Sequence, residues 1–346
     1  MTYRAAHATR TVMAVVLAAG LATPAHAAGL ATPAHAGGGP APLEQARYAA
    51  EHTVFAGVLE VRWRDGDEIR SERLRVEAAN GSLMVRGANL VMARPDYGRL
   101  LAHAGGGWEE MWLPSLAPSA RPDGAAKYRT TVPVAGPAVA GRPTKVVEVH
   151  AGGSLLERIY LDTETDLLLE RDQYDRHGVV VRRVAFESLT IGGPAEPLSP
   201  PPSPAHHAPE QVQPDRLSSP AAAPDSLADG YERMGIYKSG SVLQVLYSDG
   251  VYDLSLFQQQ GRLRRSDLPG KGERVSVRGA TGWHYPWPGG QLVVWSAGGR
   301  VFTAVSDAPA DQVLTAVRSL PKVPGGELSL LGKIRRAAQA LVQPLS

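Results

Sequence analysis

The sequence predicts a mainly β, α+β protein: a long antiparallel sheet with one apolar face, followed by a smaller α+β domain. Three observations carry that reading. Within Tyr128 to Gly192, the runs Thr144 to Val149, Arg158 to Asp162, Leu167 to Tyr174 and Val179 to Leu189 place an apolar residue at every second position. Breaks at Ala151-Gly152-Gly153, Asp162 to Asp166 and Asp175-Arg176-His177-Gly178 separate them, the pattern of a sheet buried on one side. The chain then turns rich in Pro, Ser and Ala over 193–226, a composition too poor in apolar groups to fold and suited to an extended linker. Beyond it, β-rich runs resume and end in one amphipathic helix.

At 346 residues the chain exceeds one typical domain. Arg4 and Arg10, the apolar run Thr11 to Leu21 and the Ala-x-Ala pattern ending at Ala27 predict a signal peptide within residues 1–36. Gly20 to Ala27 recurs as Gly29 to Ala36, so cleavage is expected after Ala27 or after Ala36. The expected location is outside the cytoplasmic membrane, in the periplasm or cell envelope, as a soluble chain. With no cysteine there is no disulfide, no thiol for lipid attachment and no cysteine nucleophile or metal ligand. The formal charge of +2 falls to zero once Arg4 and Arg10 are removed, which gives no electrostatic reason to expect nucleic acid as a partner.

Taken in order, Pro42 to His52 is predicted helical, with Leu43, Ala46 and Ala50 near one face. A hairpin follows. Val58 to Arg64 carries Leu59, Val61 and Trp63, turns at Asp65-Gly66-Asp67-Glu68 and returns as Arg70 to Glu77 with Leu74 and Val76. Leu83 to Arg86, Leu90 to Ala93 and Leu100-Leu101 are shorter predicted strands. Trp108 to Ser119, after three glycines, is predicted as loop; its Trp108, Met111 and Trp112 either plug the first domain's core or form a mobile lid. The first domain spans 42–192 and the second 227–321. In the second, Ser241 to Tyr247 and Val251 to Phe257 flank the hairpin signal Ser248-Asp249-Gly250. Arg274 to Arg278, Gln291 to Trp295 and Val301 to Val305 add strands. The aromatic segment Trp283 to Pro288 is predicted as a strand connection. Its Trp283, Tyr285 and Trp287 either contact a partner or fold back over the sheet. Ser306-Asp307-Ala308-Pro309 is expected to cap a helix with the stripe Val313, Leu314, Val317 and Leu320. In the tail, 322–346, residues 328–342 place Leu331, Ile334, Ala338 and Leu341 at helical spacing among three cations, for peripheral contact with a membrane or for docking on the protein itself.

Catalytic signatures are missing: no nucleophile elbow, His-Glu-x-x-His, Walker loop or dinucleotide fingerprint occurs. Asp162-x-Glu164-x-Asp166 lacks the glycine and later carboxylate of a calcium loop and reads as a charged turn. His206-His207 stand without further ligands. No enzyme activity, cofactor or metal is predicted. What the pattern does indicate is an apolar face. Leu59, Val61, Trp63, Leu74, Val76, Val147, Val149, Ile159, Leu161, Leu167, Leu169, Val184 and Phe186 are its candidate ligand-binding residues if helix and loop leave it under-covered.

Several of these residues carry a resemblance. Phe55-Ala56-Gly57, the Asp65-Gly66-Asp67 hairpin, Val139-Ala140-Gly141-Arg142, Tyr160-Leu161-Asp162 with Leu167-Leu168-Leu169, and Phe186 to Gly192 resemble the sigma-E regulatory proteins of the RseB/MucB family. Tyr247-Ser248-Asp249-Gly250 with Ser255-Leu256-Phe257 resembles that family's second-domain hairpin. The resemblance implies a LolA-like, unclosed antiparallel β half-barrel with a helical plug, then a small α+β domain. It implies a sensor that binds the extracytoplasmic part of a membrane anti-sigma factor, shields it from proteolysis and responds to a lipid-like amphiphile. A lipid or lipoprotein carrier using the same apolar cavity is the alternative. The two are told apart by whether a protein partner is captured.

Overall fold

The computed structural model describes residues 41–79, 82–87, 91–96, 99–103, 108–112, 127–193, 210–214, 223–239, 241–265, 268, 272–287 and 289–322. The predicted leader, His206-His207 and the helix over 328–342 lie outside the described residues.

Helix α1 (Ala41–His52) leads into β1 (Phe55–Asp65), β2 (Glu68–Ala79), β3 (Ser82–Arg86), β4 (Val91–Asp96), β5 (Arg99–His103) and β6 (Trp108–Trp112). There follow β7 (Tyr128–Thr130), β8 (Val134–Val139), β9 (Arg142–Ala151), β10 (Ser154–Asp162), β11 (Leu168–Tyr174) and β12 (Val180–Ile191). Among the described residues these make one open sheet of 12 strands in the order β6-β5-β4-β3-β2-β1-β12-β11-β10-β9-β7, with β8 also on β9. The long-range pairing of β1 with β12 joins its two meanders into one surface. The sheet is unclosed, as expected.

Alternation placed the inward residues correctly. Leu59, Val61, Leu74, Val76, Val147, Val149, Ile159, Leu161, Leu167, Leu169, Val184 and Phe186 are all 5% exposed or less, and Trp63 is half-buried. Gly57, inside β1, is required by close approach: a Cβ there would lie 2.3 Å from the Ser188 carbonyl oxygen, beside the bulge between Val58 and Leu59. One expectation is corrected. Trp108 to Trp112 is strand, not loop, paired with Arg99 to His103. Its Trp-Glu-Glu-Met-Trp order has no period 2, and backbone pairing along β5 imposes the strand regardless. The side chains of Trp108, Met111 and Trp112 lie outside the described residues.

The small sheet comprises β13 (Glu210–Gln211), β14 (Ser226–Leu227), β15 (Tyr231–Ser239), β16 (Val242–Ser248), β17 (Asp253–Gln260), β18 (Glu273–Val277), β19 (Ala280–Trp287), β20 (Gly290–Ala297) and β21 (Arg300–Ser306), with α2 (Ala310–Ser319) on it. Its order is β13-β15-β16-β17-β21-β20-β19-β18, β14 pairing with β15. Two expectations change here. The segment read as linker is anchored at several points. Glu210 and Gln211 pair with Lys238 and Tyr237, Ser226 and Leu227 pair with Glu232 and Tyr231, and Ala223 and Leu227 are buried. The aromatic segment is not a connection but β19. Pro286 is tolerated because β18 pairs only as far as His284, so one side of the strand is already an edge at the proline.

Two outcomes follow from this packing. Leu169→Asp puts a carboxylate at a site with 0% exposure, so loss of the cooperative thermal transition is expected by circular dichroism. Gly57→Val is expected to cost about 1–3 kcal/mol, read from the urea midpoint, because the Ser188 carbonyl must move.

Candidate functional site

The predicted apolar face is filled. Leu59, Val61, Leu74, Val76, Leu167, Leu169, Val184 and Phe186 share a buried cluster with Phe257, Tyr285, Trp287, Leu292 and Val294 of the small sheet. Val147, Val149, Ile159 and Leu161 share another with Leu43 and Ala46 of α1. The second cluster also takes in Tyr231, Tyr247, Tyr252 and Leu254 of the small domain, and Ala50 of α1 packs against the first, so helix and small domain together cover the face. The reading of Tyr285 and Trp287 as partner contacts is corrected: they are 7% and 5% exposed. Trp283 is half-buried, with the Arg265 guanidinium 5.6 Å from its ring centroid and donating to the Tyr285 hydroxyl at 3.2 Å. The apolar payload of these rings is spent inside the molecule.

Between the two sheets runs a polar seam that the sequence reading missed. Register sets Trp63, Arg182, Gln173, Glu157 and Val149 side by side across β1, β12, β11, β10 and β9. The neighbouring row is Val61, Val184, Arg171, Ile159 and Val147. Arg171 gives its Nε to Glu157 at 2.9 Å, its Nη2 to the same carboxylate at 2.5 Å and its Nη1 to Asp307 at 3.0 Å. Gln173 donates to the Asp307 carbonyl oxygen at 2.7 Å. Burial alone would depress the Arg171 pKa; Glu157 and Asp307 outweigh it and hold the guanidinium charged. Arg182 has no such surplus, and burial followed by repulsion from Arg171 pulls it down to about 10.

A second anchor lies at the hairpin Ser248-Asp249-Gly250. Asp249 is wholly buried and accepts from the Val251 and Tyr252 amides, which makes the turn. Its other oxygen accepts from the Tyr128 hydroxyl at 2.5 Å and Gln312 at 2.5 Å, with the Lys127 ammonium at 2.9 Å. Burial, then the Asp249 charge, raises the Tyr128 pKa far above its ordinary value, so the phenol stays a donor. Tyr252 stands between the anchors, its ring 5.9 Å from Tyr128 and 5.8 Å from the Arg171 guanidinium.

The segment Ser306 to Pro309 was expected to cap the last helix. The helix starts after Pro309, which holds the capping position and has no side-chain acceptor, so there is no side-chain cap; Asp307, two residues earlier, pairs with Arg171. Ser306 instead donates to the Asp253 carbonyl and accepts from the Ala308 amide. The turn Asp162 to Asp166 behaves as a charged turn. Asp162 accepts from Arg142, Thr165 and the Glu164 amide. Burial would raise its pKa, and these donors together hold it below the ordinary value.

The sequence did contain a signal for the seam. Inward positions of β10 and β11 read Glu157, Ile159, Leu161 and Leu169, Arg171, Gln173, so opposite charges break the alternation at the same end of adjacent strands.

With the geometry in hand, residues 85–214 match the family model described as the MucB/RseB N-terminal domain. That stretch is similar to the MucB/RseB N-terminal domain and covers less than half of the chain. The matched region begins in β3 and runs past β12 to the pairing at β13. Similar solved structures include MucB in complex with MucA(peri), 17% identical over 82% of this chain and 98% of that one, with a TM-score of 0.43. MucB alone is 16% identical over 80% and 95%, with a TM-score of 0.46. A LolA superfamily protein from Nitrosomonas europaea is 8% identical over 78% and 92%, with a TM-score of 0.21. No curated protein matches the chain.

Arg171 lies within the matched residues 85–214, and removal of its side chain strands two buried carboxylates. Arg171→Ala is expected to cost about 3–5 kcal/mol in urea unfolding. Asp162, with its pKa depressed in the folded state, contributes stability that is complete above the ordinary carboxylate value of about 3.9 and is lost as pH falls through the folded pKa. Asp162→Asn should therefore flatten the acid limb of a stability–pH curve measured by thermal melts.

Proposed function

We propose that the chain is an exported, non-catalytic regulator that binds the extracytoplasmic part of a membrane anti-sigma factor and modulates its regulated proteolysis, and with it the envelope stress response. The observation that carries this reading is the MucB/RseB match over residues 85–214. The basic, apolar and Ala-x-Ala order of the N-terminus supports export, and no described helix is long and apolar enough to cross a membrane. In this reading 42–192 is the half-barrel domain and 227–321 the small domain.

A lipid-like ligand completes the proposal. It reaches the apolar face only when the small sheet lifts away, and two features support such parting. Polar anchoring is gathered at two points, around Arg171 and around Asp249. The indole N–H groups of Trp63 and Trp287, at the apolar cluster shared by the two sheets, are buried without a hydrogen-bond partner, which costs about 1–3 kcal/mol for each. A carrier would need that face open in its resting state, and protein side chains fill it.

Mature protein is expected to retain its cognate anti-sigma ectodomain in size-exclusion chromatography and to slow cleavage of that ectodomain several-fold. Added amphiphile should restore cleavage, and Asp307→Ala, which loosens the seam, should do so at lower amphiphile concentration. Neither capture nor protection of the ectodomain would end this reading.

A further inference from the structure

A cavity of about 220 Å³ opens on the small sheet, where the chain leaves α2. Leu256, Val277, Trp295 and Phe302 wall it, each 4% exposed or less. Trp295 and Phe302 stack at 5.2 Å with their planes 8° apart, so one side is a flat, rigid aromatic surface. Two cations complete the lining, Arg278 in the β18–β19 turn and Lys322 just beyond the helix, both exposed at their outer ends. Among the described residues no carboxylate lines the cavity. The lining residues come from the small sheet and its C-terminal flank, and neither Arg171 nor Asp249 is among them.

The walls demand an apolar body and the cations an anionic head. Size narrows the class further. A cavity of about 150 Å³ holds a benzene ring, so this one holds an apolar body of roughly nine heavy atoms. It falls short of the roughly 300 Å³ at which pockets for drug-sized ligands begin, so a two-chain lipid does not fit. The like-charged tail, with Lys333, Arg335 and Arg336, is not complementary to the mouth.

We infer that this cavity is a binding site for a compact hydrophobic anion, an alkyl or aryl carboxylate or phosphate monoester. The inference does not rest on the regulator reading. Lys322 and Arg278 recognise the head at the mouth, and the Trp295–Phe302 stack receives the body.

The test is calorimetric titration of the mature chain with octanoate, octyl phosphate, octylamine and octyl glucoside, each below its micelle concentration. One equivalent of at least one anion is expected to bind, with the amine and the glucoside at least tenfold weaker; comparison of the two anions identifies the preferred head. Arg278→Gln with Lys322→Gln changes only exposed side chains and should abolish the preference for anions. Ala297→Leu, on the cavity wall, should weaken anion binding at least tenfold. No binding by either anion, equal binding of all four compounds, or unchanged affinity in both variants overturns the assignment.

Discussion

The positive charge of Arg171 is the constraint on which the arrangement of the two sheets depends. A guanidinium 9% exposed at residue level must be neutralised, and Glu157 on the neighbouring strand supplies one bidentate partner. The other partner, Asp307, comes from the far sheet. The large sheet is thus electrostatically complete only with the small sheet in place. Replacing such a pair by apolar groups could be neutral for stability, so its contribution is best understood as orientation. It selects one docking geometry among the many that greasy surfaces would accept.

Apolar packing supplies the remainder of the contact and decides what the half-barrel can do. Its inner face is covered jointly by α1 and by strands of the small domain, β19 among them. An open sheet with such a face would associate with other molecules; here the chain covers it with its own second half. Closure is imperfect. Buried donors on Trp63 and Trp287, together with the unpartnered Gln173 Oε1 and Tyr252 hydroxyl, place small penalties along one interface. Under the proposed function, a contact held at polar anchors and carrying such penalties would part at modest cost when a ligand favours the open arrangement.

The same economy links local turns to the long-range contact. Asp249 closes a hairpin through one oxygen and receives Tyr128 and Gln312 through the other. Asp307, two residues before the helix N-cap Pro309, makes no cap and serves the seam. At Asp249 one side chain satisfies both the local turn and the long-range contact; at Asp307 the tertiary role stands alone.

Much of the architecture was legible in the chain because it rests on local chemistry. Period 2 fixed which side of β1, β2, β9, β10, β11 and β12 faces inward, since one register step would reverse every side chain. Gly66, Gly141 and Gly250 marked turns because their positive φ is costly for other residues. What the sequence left open was the fate of surfaces. Whether the inward face was cavity or core depended on β19, which begins at Ala280, far along the chain from the end of β12 at Ile191, and Pro286 disguised that strand as a loop. The partnership of Arg171 with Asp307 spans 136 positions and has no local signature. Alternation is a property of neighbours along the chain, whereas burial and charge pairing belong to whatever the completed fold brings against them.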